Sequence, residues 1–242
     1  MAMKLIVAMP FSGRYVAPEW ALSMINLRYP RNTRHGQFAT KGIKRDEARI
    51  KLVEKALAEH AEYVFFIDDD TAPPFDAITQ LIHVLDTSEP DVMVCGGIYT
   101  TKTEPFEPLV FKDHGSGPFW KWKFGEVFPC WGLATGCMMI RTEVFTHLPK
   151  PWFRDIDNLE DVGTDTQVFG KDGAPDVFHM TDDLYFCQKV NDAGFKILAH
   201  GGVLPVHWDA KGRGHTLPDT AYPVKDVPDG ALWYKQYYEK KG

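Results

Sequence analysis

The sequence predicts an α/β protein, a single domain with a mostly parallel central sheet that is flanked by helices and carries a small antiparallel insertion. Two observations predict this class. Short continuous apolar runs alternate with amphipathic stretches through the first hundred residues, as in open α/β sheets. The length of 242 residues, with 44% hydrophobic and 25% charged residues, is typical of a globular domain with a large core. A ligand site is then expected at the carboxyl ends of the strands.

The strands and helices of the first hundred residues follow from hydrophobic spacing. Continuous apolar runs over 5–9, 63–67 and 92–95 predict strands that are buried on both faces. Apolar residues three and four positions apart predict amphipathic helices over 45–60 and 74–85. This alternation of strand and helix is the basis for the parallel sheet.

The regular pattern stops over residues 101–131, where aromatic residues, prolines and glycines dominate. The stretch 119–124 reads FWKWKF, which favours an antiparallel hairpin inserted near the ligand site. Two roles are open for Trp120 and Trp122. They either form an exposed platform on which a sugar stacks, or they pack over the edge of the sheet.

Regular patterns return after this insertion. Residues 132–145 couple glycines to an apolar run and predict a strand with close backbone approach. The spacing of apolar residues predicts a helix over 182–193 that Gly194 ends, followed by a strand over 196–199. The tail after residue 208 is rich in glycine, proline and charge, so we expect a loop and a final short helix there.

Charge and composition narrow the classes of function. The formal net charge of −6 provides no global field that would attract nucleic acid. The four cysteines include no CxxC pair, so free buried thiols are expected rather than disulfides or a zinc ribbon. No window approaches 18 consecutive apolar residues, so no transmembrane anchor is expected and a cytoplasmic location is the simplest expectation.

The most informative feature is the triplet Asp68, Asp69 and Asp70, which comes directly after a predicted buried strand. Three carboxylates so close together repel one another unless a cation neutralises them. Oxygen ligands suit Mn²⁺ or Mg²⁺, which keep coordination positions open for substrate phosphates. The alternative is an acidic loop that caps the helix following it, with Asp70 or Thr71 accepting the free amides.

Three further motifs follow along the chain. Gly132 and Gly136 lack side chains, which would let a ligand approach the backbone. Asp182 and Asp183 lie on the first turn of a predicted helix, where the helix dipole favours negative charge. His207 ends an apolar run and is able to bind a metal through a neutral ring nitrogen.

The order of these motifs over residues 3–208 resembles the GT-A glycosyltransferases, in particular glycosyltransferase family 2. The resemblance implies a Rossmann-like nucleotide-binding domain and a metal-dependent transfer from a nucleotide sugar. It implies that 68–70 is the DxD element, that the glycine-rich strand lines the sugar and acceptor pocket, and that Asp183 is the catalytic base. Asp182 stands where the family more often has glutamate.

The remaining site residues are expected from the same resemblance. The donor-binding residues are Pro10, Arg45, Arg49, Asp68, Asp69, Asp70, Lys211 and Arg213. The acceptor and sugar pocket is formed by Trp131, Gly132, Thr135, Gly136 and Asp182, and the metal ligands are Asp68, Asp70 and His207. Lys211 and Arg213 lie in a glycine-flanked stretch that either closes over the diphosphate as a lid or is a disordered polar tail.

The implied reaction moves a sugar from a UDP-sugar, or next a GDP-sugar, to a hydroxyl acceptor with inversion. The acceptor is a polysaccharide, a glycolipid or a modified nucleic acid, including modified bases of viral DNA. A nucleotidyltransferase and an inactive sugar-nucleotide-binding module are the alternatives. We expect residues 1–208 to form the GT-A domain, with 1–100 as its nucleotide-sugar half, 101–208 as its acceptor half, and 209–242 as a C-terminal lid or tail.

Overall fold

The computed structural model describes residues 3–13, 15–103, 106–156, 180–209 and 211–216. The helices are α1 (Pro18–Asn26), α2 (Arg45–Ala58), α3 (Ala77–Thr87), α4 (Val144–His147) and α5 (Asp182–Asp192). The strands are β1 (Met3–Phe11), β2 (Thr33–Lys41), β3 (Tyr63–Ile67), β4 (Thr71–Ala72), β5 (Val92–Gly97), β6 (Val110–Phe111), β7 (Val127–Cys130), β8 (Gly132–Leu133), β9 (Cys137–Arg141), β10 (Lys196–His200), β11 (Val206–Trp208) and β12 (Gly214–His215).

A seven-stranded sheet with the order β2-β1-β3-β9-β5-β10-β7 forms the centre of the protein. Strands β2, β1, β3, β5 and β10 run in one direction, and β9 and β7 run against them. The prediction of a mostly parallel sheet flanked by helices is therefore confirmed. Because β1, β3 and β5 are parallel, the loops that leave them meet at one edge of the sheet.

The core lies on both faces of this sheet. Along β3, Val64 and Phe66 pack into one apolar cluster, whereas Phe65 and Ile67 pack into the other. All five residues of this strand are buried, which explains its uninterrupted apolar run. The four cysteines are buried and free, as predicted, and burial raises the pKa of the Cys95 and Cys137 thiols.

The strand β2 and the helix α1 were absent from the sequence prediction. β2 is a polar strand at the edge of the sheet that pairs with β1 alone, so it needs no apolar pattern. α1 begins at Pro18, buries Trp20 and exposes Leu22 and Ile25, so its apolar residues do not follow a single face. Tertiary contacts, rather than local hydrophobic spacing, hold both elements in place.

The small antiparallel insertion is present, but residues 119–124 do not form it as a hairpin. β6 pairs with β8 to form a separate two-stranded sheet, and β7 joins the edge of the central sheet beside β10. Residues 119–124, all of them described, form no strand. Trp122 stacks on Phe128 and is packed closely against Gly201, whereas Trp120 is 44% exposed. Packing over the sheet edge therefore accounts for Trp122 but not for Trp120.

A small antiparallel sheet of the order β12-β11-β4 brings the late part of the chain to the triplet of aspartates. His207 on β11 is paired in register with Thr71, the residue after Asp70. β12 extends this sheet across the boundary that the sequence suggested at residue 208. The final helix expected in the tail lies outside the described residues.

No helix in the described part of the chain has both the length and the apolar character needed to cross a membrane.

Candidate functional site

The loops that leave β1 and β3 enclose a cavity of 130 Å³. The cavity is lined by Pro10, Phe11, Ser12, Ile43, Arg45, Ala48, Asp68, Asp69 and Asp70. Five of the residues predicted to bind the donor thus lie around one cavity at the carboxyl edge of the sheet. Three others, Arg49, Lys211 and Arg213, are not part of its lining.

Asp68 is held by the interior of the protein. Its carboxylate oxygens accept hydrogen bonds from Nη2 of Arg49 at 2.9 and 3.0 Å. Its backbone amide donates to the carbonyl of Gly136 at 3.3 Å, and its carbonyl accepts from the indole of Trp20 at 2.8 Å. Burial raises the pKa of Asp68 although the Arg49 charge opposes the shift. The first acid of the triplet is thus a structural partner of α2.

Arg49 and Asp182 form the centre of a buried ion-pair network that joins α2 to α5. Arg49 is 1% exposed and pairs with both Asp68 and Asp182. Asp182 is 0% exposed, and its second oxygen accepts from Nε of Arg45 at 2.8 Å. Arg45 also reaches Asp155 at 3.2 Å, and Asp155 accepts the amide of Asp182 at 3.0 Å. Burial opposes the charge of Arg49, but the surrounding carboxylates raise its pKa above the ordinary value.

This network gives Arg49 and Asp182 positions that differ from those expected. Neither side chain has surface with which to touch a donor or an acceptor, and the two are paired with each other. Arg45 does line the cavity, and its side chain remains 51% exposed. Loss of one partner from such a buried network leaves an unpaired charge, which typically costs about 3–5 kcal/mol.

Asp69 holds the loop that follows β1. Its carboxylate accepts the backbone amides of Ser12 and Gly13 at 2.7 and 3.1 Å and the Ser12 hydroxyl at 2.9 Å. These three bonds fix the rim of the cavity. The central acid of the triplet therefore shapes the site through the loop.

Asp70 faces a lysine and a histidine instead. One oxygen lies 3.4 Å from Nε2 of His207, and the other is paired with the ammonium group of Lys102. Its carbonyl accepts the amide of Trp208 at 2.7 Å, which ties the strand end to β11. Burial opposes its charge, but His207 and Lys102 outweigh burial and hold the pKa of Asp70 below its ordinary value. Its side chain is 34% exposed.

The orientation of His207 is set by its second ring nitrogen. Nδ1 lies 2.7 Å from the backbone carbonyl of Thr100. A carbonyl oxygen only accepts hydrogen bonds, so Nδ1 carries a proton, and Nε2 is the ring nitrogen that faces Asp70. The ring also packs edge-on against Tyr99, with centroids 5.0 Å apart. This arrangement of a carbonyl behind a histidine is the usual support of a metal ligand.

Among the described residues, no group of three or more His, Cys, Asp or Glu side chains is arranged to hold a metal ion. Asp70 and His207 nevertheless suit a divalent ion as a pair, because Mg²⁺ and Mn²⁺ sites commonly use one or two protein ligands together with phosphate oxygens and water. Asp68, the third expected ligand, has both oxygens on Arg49. The chemistry of the pair thus fits a metal that the substrate helps to hold.

Asp183 lies on the first turn of α5. One carboxylate oxygen accepts the hydroxyl of Thr181 and the amide of Leu184, the latter at 3.0 Å. Burial raises the pKa of Asp183, and the neighbouring Asp182 charge adds to this shift against the opposing arginines. A carboxylate with a raised pKa is a stronger base than an ordinary one, which is the property needed to take a proton from a hydroxyl group.

The pKa of Tyr99 is affected by Asp183 and by the acids at the end of β3. Its phenol is buried and accepts the amide of Gly136 at 2.9 Å. Burial raises its pKa well above the ordinary value, and the charges of Asp68, Asp183 and Asp70 add to the shift. Asp183 follows Asp182 in the chain, and the ion pairs of Arg49 with Asp182 and Asp68 connect this helix start to the strand-end acids.

The glycines of the predicted sugar pocket serve packing. A Cβ on Gly136 would lie 2.8 Å from Oγ1 of Thr71 and would collide with the Tyr99 hydroxyl. A Cβ on Gly132 would lie 3.1 Å from the Leu184 side chain on α5. Small residues here let β8 and β9 approach the strand end and α5 closely. This is a different reason for glycine from the ligand approach that the sequence suggested.

Trp131 and Thr135 flank these glycines. Thr135 is 0% exposed, and its hydroxyl has no partner among the described residues. Trp131 is half-buried, and its carbonyl accepts the side-chain amide of Asn191 at 2.7 Å. In this conformation both residues support the layer behind the strand ends.

Lys211 and Arg213 lie in a turn that Asp209 organises. Asp209 accepts the backbone amides of both residues at 2.8 and 2.9 Å, and Nε of Arg213 at 2.8 Å. The amide of Arg213 contributes most to holding the pKa of Asp209 below its ordinary value. Arg213 lines a second cavity, of 520 Å³, together with Phe106 and Trp208. The alternative of a disordered tail therefore does not apply to 211–216.

Sequence reasoning missed Lys102, Thr100 and Ser12, which pair with the site acids or orient His207. A signal was present for the first two. They follow β5 directly, and the carboxyl ends of parallel strands meet at one edge of the sheet. Lys102 falls within 101–131, where the sequence predicts a separate insertion, and Thr100 comes just before it.

Comparisons with known proteins agree on the fold. No protein-family model matches the sequence, and no curated protein matches it either. Among solved structures, A197 from STIV superposes with a TM-score of 0.57 at 13% identity, over 90% of this chain and 95% of that one. The likeness to A197 extends over nearly the whole of both chains and supports a GT-A-like fold.

Structures of S. aureus TarS are more distant. TarS 1-349 matches with a TM-score of 0.45 at 13% identity, over 82% of this chain and 58% of that one. TarS 1-349 in complex with UDP matches with a TM-score of 0.40 at 13% identity, over 61% of this chain and 50% of that one. The chain thus corresponds to little more than half the length of these TarS structures.

Proposed function

We propose that this chain is a metal-dependent glycosyltransferase that moves a sugar from a nucleotide-sugar donor to a hydroxyl acceptor. The observation that carries the proposal is the pair formed by Asp70 and His207, 3.4 Å apart at the carboxyl end of β3 in a GT-A-like sheet. Asp70 lines a cavity formed by the loops after β1 and β3, and His207 lies beside it on β11. In open α/β sheets this is the position at which ligands bind.

The donor diphosphate is proposed to lie between this pair and Arg45. Asp70 and His207 would hold Mn²⁺ or Mg²⁺, which supplies positive charge for the diphosphate as it leaves. Arg45 is half-exposed and already oriented by Asp182 and Asp155, so it can meet a phosphate without first being ordered. Asp69 keeps the loop after β1 in place beside the nucleotide.

Asp183 is proposed as the base of an inverting displacement. Its carboxylate would accept the proton of the acceptor hydroxyl while that oxygen attacks the anomeric carbon. The bond from that carbon to the diphosphate breaks, and the electron pair leaves with the diphosphate. The raised pKa of Asp183 suits this task. Positioned bases of this kind contribute about 10²–10⁴-fold to a rate.

A UDP-sugar is the first donor to test and a GDP-sugar the next. The decisive measurement is thermal unfolding of the full chain with UDP-, GDP-, dTDP- and CMP-sugars, each with and without Mn²⁺. A ligand at about 100 times its Kd stabilises the native state by about 2.7 kcal/mol. For a chain of this size that corresponds to a rise in Tm of about 5–10 °C.

Asp70→Ala and Asp113→Ala are the matched variants, because Asp113 is an exposed acid outside the site. We expect one nucleotide class to raise the Tm of the wild type and of Asp113→Ala only with Mn²⁺, and to leave Asp70→Ala unchanged. Stabilisation by intact nucleoside triphosphates but by no nucleotide sugar would instead indicate a nucleotidyltransferase. Binding without Mn²⁺-dependent hydrolysis of the donor would indicate an inactive binding module.

A further inference from the structure

Lys102 forms an ion pair with Asp70, the carboxylate that is proposed to bind the metal. Its ammonium group is paired with Oδ2 of Asp70, while Oδ1 of the same carboxylate faces His207. The loop that carries Lys102 also supplies the Thr100 carbonyl that orients His207. One loop after β5 therefore controls the surroundings of both proposed metal ligands.

We propose that Lys102 is an internal cation that holds Asp70 until the metal binds and then transfers to the donor diphosphate, so that metal and nucleotide bind cooperatively. This inference rests on the proposed function and deepens it, because it assigns the regulation of the same site to a residue with no role in the reaction as described above. The inference has one consequence for the free protein and another for the protein with bound nucleotide.

The first consequence concerns the free protein. A lysine ammonium and a divalent ion on one carboxylate are like charges within a few ångströms, and at an effective dielectric constant of 20 such repulsion amounts to several kcal/mol at 4 Å. Lys102 therefore has to leave Asp70 when the metal site fills. Its side chain is 32% exposed and flexible, so this movement is sterically open. Metal affinity in the absence of nucleotide is lowered by the energy of the lost ion pair.

The second consequence concerns the nucleotide. A diphosphate beside Asp70 offers the displaced ammonium several new acceptors, and Lys is a common phosphate ligand. Arg49 is buried between Asp68 and Asp182, so it cannot reach a diphosphate. Arg45 and Arg213 are paired with acids that are not proposed metal ligands. Lys102 differs from these in that its partner is a proposed metal ligand.

The test measures Mn²⁺ binding rather than activity. The free Mn²⁺ concentration is followed by electron paramagnetic resonance during titration of the full chain, with and without saturating UDP. Lys102→Met removes the charge and keeps most of the side chain's length, and Lys102→Arg retains the charge. Lys196→Met is the control, because Lys196 forms an ion pair of 2.6 Å with Asp91, away from the site.

We expect Lys102→Met to bind Mn²⁺ about tenfold more tightly than the wild type without UDP, an effect the size of one modest charge–charge interaction. UDP should then tighten Mn²⁺ binding by a much smaller factor than it does in the wild type. Lys102→Arg and Lys196→Met should behave as the wild type in both titrations. Circular dichroism of each variant establishes that it is folded.

The outcomes separate the two proposals. Equal or weaker Mn²⁺ binding by folded Lys102→Met, with Asp70-dependent binding in the wild type, overturns the role of Lys102 and leaves the proposed metal site standing. If neither the wild type nor Lys102→Met binds Mn²⁺ with or without UDP, both proposals fail. Binding by Lys102→Met alone supports the inference, since it shows that the ammonium group blocks the site.

Discussion

Asp68 and Asp70 leave the same strand and are separated by one residue, yet their surroundings are opposite. Asp68 is paired with an arginine that is 1% exposed, and that arginine is shared with a fully buried aspartate. Asp70 is paired with a partly exposed lysine and lies beside a histidine whose ring nitrogen is directed at it. Both carboxylates line the cavity, but the first is anchored to the buried ion-pair network and the second is not.

The comparison shows that the carboxylates of one acidic cluster at a strand end can differ in burial and in the partners that they bind. A buried charge with all its hydrogen bonds made has no capacity left for a ligand, and its removal is a matter of stability. A half-exposed charge with replaceable partners contributes little to stability and can exchange them. Substitutions in the buried ion-pair network should therefore lower the free energy of unfolding, whereas substitution of Asp70 should lower Mn²⁺-dependent activity.

The largest expected effect is the loss of stability on substitution within the buried ion-pair network. Arg49→Met leaves Asp68 and Asp182 without their shared cation, and we expect a loss of about 3–5 kcal/mol in the free energy of unfolding. Urea denaturation followed by circular dichroism measures it, with the exposed Lys150→Met as the control. A loss below about 1 kcal/mol would mean that the network is not a structural unit.

Asp70→Asn should separate function from stability. We expect about a 100-fold loss of Mn²⁺-dependent donor hydrolysis, comparable to removal of one charge-stabilising group from an active site. Its free energy of unfolding should change by less than about 1 kcal/mol, because its ion pair is partly exposed. Asp113→Asn is the matched control. If Asp70→Asn unfolds as readily as Arg49→Met, the contrast between the two acids does not hold.

The pH dependence of turnover tests Asp183. Its raised pKa means that it becomes protonated at a higher pH than an ordinary aspartate, and a protonated carboxyl group cannot act as a base. At saturating donor and Mn²⁺, kcat should fall about tenfold per pH unit below that pKa. Metal occupancy is measured at each pH, so that lost binding is not mistaken for lost base. Asp183→Asn should be slow throughout and lack this acidic limb.

The smallest effect is expected at Arg213. The Arg213 side chain is 63% exposed, so Arg213→Ala should change the free energy of unfolding by less than about 1 kcal/mol. If the turn closes over the diphosphate, KM for the donor should rise several-fold while Mn²⁺ affinity stays unchanged. An unaltered KM would show that the turn has no part in donor binding.

Hydrophobic spacing predicted most of the sheet because its strands are buried on both faces. The bounds of β3 agree with the apolar run over 63–67, and those of β5 differ by two residues. β2 could not be found in this way, since an edge strand with exposed polar residues has no apolar pattern. The position of β9 between β3 and β5 depends on pairing with distant strands, which local spacing does not encode.

For the site, the sequence indicated the acidic triplet and the late histidine, but not the partners of each acid. The pairing of Arg49 with Asp182 joins residues 133 positions apart, and only the tertiary structure brings them together. Lys102 belongs to none of the sequence motifs that indicated the site. Residue type and local order identified the neighbourhood, whereas the division between structural and ligand-facing charges arises from tertiary contacts.

The place of β9 in the sheet also bears on how the chain folds. β3 and β5 are complete by residue 97, but the strand that separates them, Cys137–Arg141, comes about forty residues later. Until it inserts, both neighbours lack a hydrogen-bonding partner on the edge that forms the middle of the finished sheet. Non-local pairing of this kind slows folding. A fragment ending near residue 100 should therefore remain unfolded or associate through its open strand edges.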